Sequence, residues 1–492
     1  MGMLLLGRVW TFDPARPRAG AVLVEGDLIR DVGPAEDLRA RYPEARRVRA
    51  SWITPGLHEA HAHPLQWGLA LETLDLRGLE DPREVARRVR EAVRAREPGT
   101  WLRGGGYVFD AYPGRALLDQ AAPRHPVFLE SRDLHAAWVN AAALERAGID
   151  GTTPDPPGGK ILRDAAGEPT GYLLERAVEL VRASLEPPRK DDLLRGLQDL
   201  AARGFTAAHA MGEEDGAGTW AGELAQEGRL PLRLAWTQRP NENTYTKAQY
   251  VGEHLHVFGV KRFADGALTS RTAWMCAPYP EGGHGMPLDD PRDHDEEVAR
   301  DLARGFTAVW HAIGTCAVRE VVALIERLEA RGLPARRRVR IEHAQHVADA
   351  DLPRLAGLAL SVQPQHAADD RRALERLGSA RMGEAYRWGE FARLPGVRLL
   401  LGSDAPVAPP EPGRTLQLTR NHPLGGRGLD LAQALRAYTH EPAAVLGWSE
   451  GERPLGIVAP GARAELTLWD EAQPVARLWR GVLTSVMKST RT

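Results

Sequence analysis

Five residues of this chain have the types and the order to hold a divalent metal ion. Two of them sit in Pro55-Gly56-Leu57-His58-Glu59-Ala60-His61-Ala62-His63-Pro64. Residues two apart on an extended strand share a face, so His61 and His63 can reach one ion. Neutral imidazoles suit zinc and related divalent cations. A His-x-His alone is weak, and the chain supplies a control in Glu253-His254-Leu255-His256. That pair lacks the Pro-Gly lead-in and reads as a polar loop pair. The other three residues lie where apolar runs end. His311 closes Phe306-Thr307-Ala308-Val309-Trp310-His311, His343 closes Arg340-Ile341-Glu342-His343, and Asp404 follows Leu401-Gly402-Ser403. Any one of these reads as an ordinary polar strand end. The five in sequence are a strong signal for one metal centre.

Lys261, in Gly259-Val260-Lys261-Arg262-Phe263-Ala264-Asp265, is a conditional sixth member. As a cation beside divalent ions it would be costly. Converted by CO₂ to a carbamate, it becomes an anionic bridge between two ions. The alternative is an ion pair with Asp265 or another carboxylate, and the residues leave both open.

Positioning such a set requires strands whose C-terminal ends converge. The middle of the chain alternates apolar strands with amphipathic helices, the pattern of a parallel α/β barrel. Strand candidates are Trp52–Leu57, Thr206–Met211, Leu232–Thr237, Phe258–Ala264, Phe306–His311, Val339–His343, Leu358–Val362 and Val397–Leu401. Helices such as Asp191–Ala202 and Cys316–Ala330 lie between them. The fold class expected is a (β/α)₈ TIM barrel over residues 52–454. A ninth strand candidate, Val127–Glu130, falls in a stretch too long for one βα unit, which predicts an inserted subdomain at about 65–188. Both chain ends are short strands broken by Gly and Pro, and neither end could bury a core alone. Residues 1–51 plus 455–492 are therefore expected to form one small β-sandwich domain.

The bulk numbers exclude several classes. Among 492 residues, 43% are apolar and 26% charged, and the formal net charge is -2. No bulk field favours nucleic acid or an anionic membrane. No uncharged apolar stretch is long enough to span a bilayer, and the N-terminus reads as a strand, not a signal peptide. A cytoplasmic enzyme with a small-molecule substrate is the expectation, and a homo-oligomer is compatible with all of it. The two cysteines, Cys276 and Cys316, form no Cys-x-x-Cys, which argues against thiolate zinc and against a disulfide framework.

The constellation resembles the amidohydrolase superfamily. The resemblance implies metal ligation by His61 and His63 after strand one, Lys261 as a carboxylated lysine on strand four, His311 after strand five, His343 after strand six and Asp404 after strand eight. Trp101-Leu102-Arg103-Gly104, His135-Ala136-Ala137-Trp138-Val139-Asn140, Arg340-Ile341-Glu342-His343-Ala344-Gln345 and Gln363-Pro364-Gln365 resemble the branch that includes N-substituted formamide deformylases. That implies hydrolysis of a C–N bond, with Asp404 as ligand and general base. One or two divalent ions are implied, zinc first, although manganese, iron or nickel suit such ligands too. His135, His209, Asp265 and Gln363 become candidate substrate contacts, and Glu175 an alternative metal ligand. Three departures stand out: Glu59 where Asp is usual, Leu134 where Gly is usual, and Thr315-Cys316 where Asp-Arg is common. The rival readings are a mononuclear deaminase and a silent scaffold. Deaminases of this fold carry a Glu three residues after the strand-five His, and here that residue is Gly314. A scaffold tends to lose ligands, and none is lost here.

Overall fold

The structure is a computed structural model that describes residues 2–487 except 110, 132–135, 158, 214–215, 269–270, 281, 371–373, 375–376 and 378. Eight parallel strands form its centre: β1 (Leu57–Ala62), β2 (Phe205–Met211), β3 (Arg233–Gln238), β4 (Leu255–Phe263), β5 (Thr307–Ala312), β6 (Val339–His343), β7 (Ala359–Val362) and β8 (Arg398–Leu401). They pair in sequence order, with Lys261 beside Val309 and Ala312 beside His343. Closure comes just past the ends of β8 and β1. The Asp404 amide donates to His61 O (2.8 Å) and the His63 amide to Ala405 O (2.8 Å). Every residue of β1, β2 and β3 is buried, as expected of strands covered on both faces. The covering helices explain themselves by periodicity. In the helix Thr315–Ala330 the buried Val318, Val321, Val322, Ile325 and Leu328 recur on one stripe. The final helix, Leu431–Val445, starts with a capping box between Asp430 and Gln433.

β1 begins later than the Trp52–Leu57 run suggests. Arg46–Pro55 is a strand of another sheet, and the chain passes from it to β1 across Gly56 alone. A Cβ on Gly56 would fall 1.9 Å from Thr206 Oγ1, so only glycine lets β1 meet β2 there. Of the pair His254 and His256, His254 lies in the turn before β4, whereas His256 is on β4, which starts at Leu255. His256 stacks on Tyr250 with ring centroids 4.3 Å apart, while His254 packs against Trp479.

The two chain ends build one seven-stranded sheet. Its order is Val482–Ser485, Gln473–Trp479, Leu466–Asp470, Arg46–Pro55, Met3–Trp10, Arg18–Glu25 and Leu28–Gly33. The sheet curls until Ile29 N–H donates to Ala462 O at 2.9 Å, enclosing a core that includes Leu5, Val22, Ile53, Leu466 and Leu478. Residues 69–189 form a separate compact unit with its own six-stranded sheet. Val127–Ser131 is one of its strands, which accounts for the ninth candidate.

Cys276 and Cys316 form a disulfide, 40 residues apart with Cα atoms at 4.8 Å. This corrects the expectation from spacing. The bridge is a product of topology: the chain after β4 and the helix after β5 are neighbours because their strands are. Cys316 N–H donates to Trp274 O (3.0 Å) and Cys276 N–H to Thr315 Oγ1 (3.0 Å). Among the described residues, no helix is long and apolar enough to cross a membrane.

Candidate functional site

The C-terminal end of the barrel gathers the predicted residues. His61 and His63 each place Nε2 3.3 Å from the same atom, Asp404 Oδ1. The closure bonds between the ends of β8 and β1 hold them there. Glu59 adds a third tie, accepting from Ser403 N–H (2.8 Å) and His61 N–H (3.3 Å) through one oxygen. Burial pushes the Glu59 carboxyl up to about 8, so it is a neutral tie at neutral pH. Gly402 is required beside it, because a Cβ there would lie 2.6 Å from the His61 nitrogen. Asp404 has φ 62° and His343 φ 73°, left-handed backbone that non-glycine residues adopt at a cost. The strain sits at two of the five predicted ligands.

His311 and His343 stand side by side with ring centroids 4.5 Å apart, and His343 is 4.8 Å from the His61 ring. Burial pushes His311 down to about 3, with Lys261 adding to it, and burial also holds His343 well below the usual range. Both are therefore neutral, the state that binds metal. Burial opposes ionisation of Asp404, but the imidazoles of His61, His63 and His343 beside it outweigh it. They hold its carboxylate well below the usual range. Lys261 lies on β4 with 1% of its surface exposed. Its Nζ has no hydrogen-bond partner among the described residues. Burial lowers its pKa to about 8. It makes no ion pair with Asp265.

Three residues expected at the substrate are placed elsewhere. Asp265 is fully buried and accepts Ile313 N–H (2.9 Å), Gly314 N–H (2.7 Å) and Trp274 N–H (2.8 Å), so it ties the segment after β4 to the start of the next βα loop. His209 is fully buried in the barrel interior, between His58 (3.3 Å) and Arg340 (2.9 Å). Gln363 Oε1 is 2.8 Å from His343 Nδ1 and so orients that imidazole. These are positioning contacts, because none of the three presents a free polar surface. His135 lies outside the described residues. Glu175 ends the strand Pro169–Glu175 in the inserted unit, paired through its backbone with Gly159.

The structure also adds residues that sequence reasoning passed over. Glu342 Oε2 is 2.6 Å from His61 Nδ1, and its other oxygen is 2.5 Å from Arg340 Nε. Arg340 and Glu342 are both fully buried. The signal was present, since Glu342 alternates with the apolar residues of β6 and precedes His343. His366, in the helix Pro364–Asp369 after β7, places Nε2 3.8 Å from Asp404 Oδ2.

The donor set fits a divalent ion. Nitrogen and oxygen atoms of His61, His63 and Asp404 lie within 4.8 Å of one another, as do those of His343, His366 and Asp404. His61 Nε2 and Lys261 Nζ are buried polar atoms without a hydrogen-bond partner among the described residues. Imidazoles and one carboxylate are the ligands of zinc and its neighbours.

The comparisons with known proteins agree with this geometry. A family model described as the amidohydrolase family matches residues 52–478, and an imidazolonepropionase-like composite domain of bacteria matches residues 20–45. The chain is 29% identical to the Arabidopsis thaliana protein LONG AFTER FAR-RED 3, over 94% of this chain and 87% of that one. It is 27% identical to N-substituted formamide deformylase of Arthrobacter pascens, over 95% and 93% respectively. Among solved structures, an uncharacterized metal-dependent hydrolase from Pyrococcus furiosus matches with a TM-score of 0.78 at 25% identity, covering 96% of this chain and 99% of that one. The stretch matched by the family model contains all eight barrel strands and every residue from His61 to Asp404. The chain belongs to the amidohydrolase family.

Proposed function

We propose that this protein hydrolyses a carbon–nitrogen bond, an amide or formamide-like one, in a small molecule, with one or two divalent ions, zinc first. The observation that carries the reading is the convergence of His61 Nε2 and His63 Nε2 on one oxygen of a strand-end carboxylate, Asp404. A bound ion at such a site supplies a polarised carbonyl and an activated water. The chain's own residues do the rest. Asp404 remains ionised, and Oδ2, the oxygen not shared by His61 and His63, is free to take the water's proton. Asp404 then returns that proton to the leaving nitrogen, which departs as a neutral amine. Lys261 can join when its neutral amine adds CO₂ and releases a proton, which leaves an anionic carbamate. Its burial favours the neutral amine that this step needs. The formamide-like substrate class rests on the deformylase relative and on the motifs shared with that branch.

The test is a panel of N-formyl, N-acyl and cyclic amides given to the purified protein, with elemental analysis of the same sample. We expect about one to two equivalents of divalent metal, turnover of at least one amide, and loss of activity in strong chelator. A protein that carries no metal, or works unchanged in chelator, refutes the reading.

A further inference from the structure

Four histidines of the site have one ring nitrogen held, and the holder decides which nitrogen carries the hydrogen. His61 Nδ1 faces Glu342 Oε2 at 2.6 Å, His343 Nδ1 faces Gln363 Oε1 at 2.8 Å, and His311 Nε2 faces Gly266 O at 3.0 Å. All three partners accept, so the held nitrogen is the protonated one. The opposite nitrogen turns a lone pair to the site, as a metal ligand must. His366 is held the other way. Its Nδ1 lies 3.2 Å from Gln345 Nε2, the donor end of an amide. With the Gln345 amide placed this way round, its own Oε1 buried and without a hydrogen-bond partner among the described residues, Nδ1 accepts and Nε2 carries the hydrogen.

That N–H points into the site. His366 is 8% exposed, and its Nε2 has no hydrogen-bond partner among the described residues. The nearest carboxylate oxygen, Asp404 Oδ2, is 3.8 Å away, too far for a hydrogen bond. A buried donor without an acceptor is costly, and where one persists beside a reactive group a ligand is the natural acceptor. The atom attacked by the water must lie close to Asp404, which takes that water's proton.

We propose that His366 is a catalytic residue and not a metal ligand: its Nε2–H donates to the oxygen of the scissile carbonyl as that oxygen gains negative charge. The proposal rests on the amide-hydrolysis reading. His366 keeps its hydrogen throughout, and the proton traffic stays with Asp404. Aligned donors of this kind act where charge develops and need no reorganisation at the moment of reaction. Gln345 is then a positioning residue, because its amide selects the tautomer of His366.

Two measurements on metal-loaded protein separate the roles: elemental analysis, and calorimetry with methylphosphonate, a tetrahedral oxyanion. His366→Ala should keep the wild-type metal content and lose about 10²–10³-fold in kcat on an amide that the wild type turns over, with little change in KM. Its affinity for methylphosphonate should fall about tenfold to a hundredfold. His366→Gln, which retains an N–H, should recover part of both losses. Gln345→Glu supplies an acceptor, reverses the tautomer and should behave like His366→Ala with His366 still in place. Loss of metal in His366→Ala overturns the proposal, as does unchanged methylphosphonate affinity in that variant or wild-type behaviour in Gln345→Glu. A wild-type protein that holds metal and methylphosphonate but cleaves no amide overturns the functional reading alone. The calorimetry would then still decide whether His366 is an oxyanion donor. A wild type that binds neither overturns both.

Discussion

Glu342 has no exposed surface and satisfies two donors at once. One oxygen, Oε2, accepts from His61 Nδ1 at 2.6 Å and from Arg340 Nη2 at 3.1 Å, and the other lies 2.5 Å from Arg340 Nε in the ion pair. Arg340 is equally buried, and its remaining contacts, Ala60 O and His209 Nδ1, carry no negative charge. Glu342→Gln keeps the shape and removes the charge. The amide oxygen can take the Oε2 position and keep both hydrogen bonds, but its NH₂ group then faces the Arg340 guanidinium in place of a carboxylate oxygen. Leaving a buried guanidinium without its counter-charge costs about 3–5 kcal/mol. Losing the carboxylate behind a ligand imidazole lowers metal affinity about 10–100-fold. Urea unfolding of the metal-free protein reads the first effect and a metal titration reads the second. The pH dependence gives an internal control. Burial alone would raise the Glu342 pKa, but Arg340 and His61 outweigh it and bring it down from 4.5 to about 2. A depressed carboxylate contributes fully above its unfolded pKa and loses that contribution as pH falls through its folded one. The stability gap between wild type and Glu342→Gln should therefore be full above pH 4.5 and close as pH falls toward about 2. The double variant Arg340→Met with Glu342→Gln should regain part of the loss. A gap below about 1 kcal/mol at neutral pH, or one that does not narrow in acid, would refute the reasoning, because an exposed pair behaves that way.

Asp404→Asn keeps the side chain's shape but cannot take a proton. Metal should be largely retained while kcat falls roughly 10²–10⁴-fold, measured with metal content on the same sample. His61→Ala should instead lose metal affinity first. Lys261→Ala should lose the second ion and most activity, and short carboxylic acids should restore part of both, checked by elemental analysis across an acetate titration. Replacing both Cys276 and Cys316 with Ser opens a closed stretch of 40 residues and should cost roughly 3–4 kcal/mol in urea unfolding.

The barrel was legible because its strands are apolar runs bounded by polar strand ends, and the candidate ligands occupy those ends. The first boundary was not legible. Residues 46–62 are strand apart from Gly56, and nothing in the types of Trp52–Leu57 says that the sheet changes there. The clash of a Gly56 Cβ with Thr206 decides it, and Thr206 is distant in sequence. The same limit explains Asp265, His209 and Gln363. Their types suit a substrate pocket, but a type does not say what the side chain meets. Each turns out to meet a backbone amide or another site residue. His366 was missed for the opposite reason. Local pattern does not show which way a histidine on the short helix after β7 will turn. The disulfide joins the segment after β4 to the helix after β5, which only the barrel order brings together.

We expect the state of Lys261 and the number of ions to change together, on the balance of buried charge at the site. Asp404 and Glu342 are anions, Arg340 is a cation, and His311 and His343 are held neutral. In the metal-free protein burial lowers the His61 pKa, but Asp404 and Glu342 outweigh it and raise it, as expected beside excess negative charge. A divalent ion held by His61, His63 and Asp404 would offset the same negative charge. Beside that ion Lys261 is expected to be the neutral amine, because its Nζ has no hydrogen-bond partner among the described residues and burial already lowers its pKa to about 8. A second ion brings two more positive charges into the same enclosure, where neutral imidazoles cannot balance them. A carbamate on Lys261 would answer that excess with an anion and two oxygens. A protein with one ion should therefore carry Lys261 unmodified, and one with two should carry it carboxylated. Withholding CO₂ during metal loading should leave the second ion unbound while the first is held.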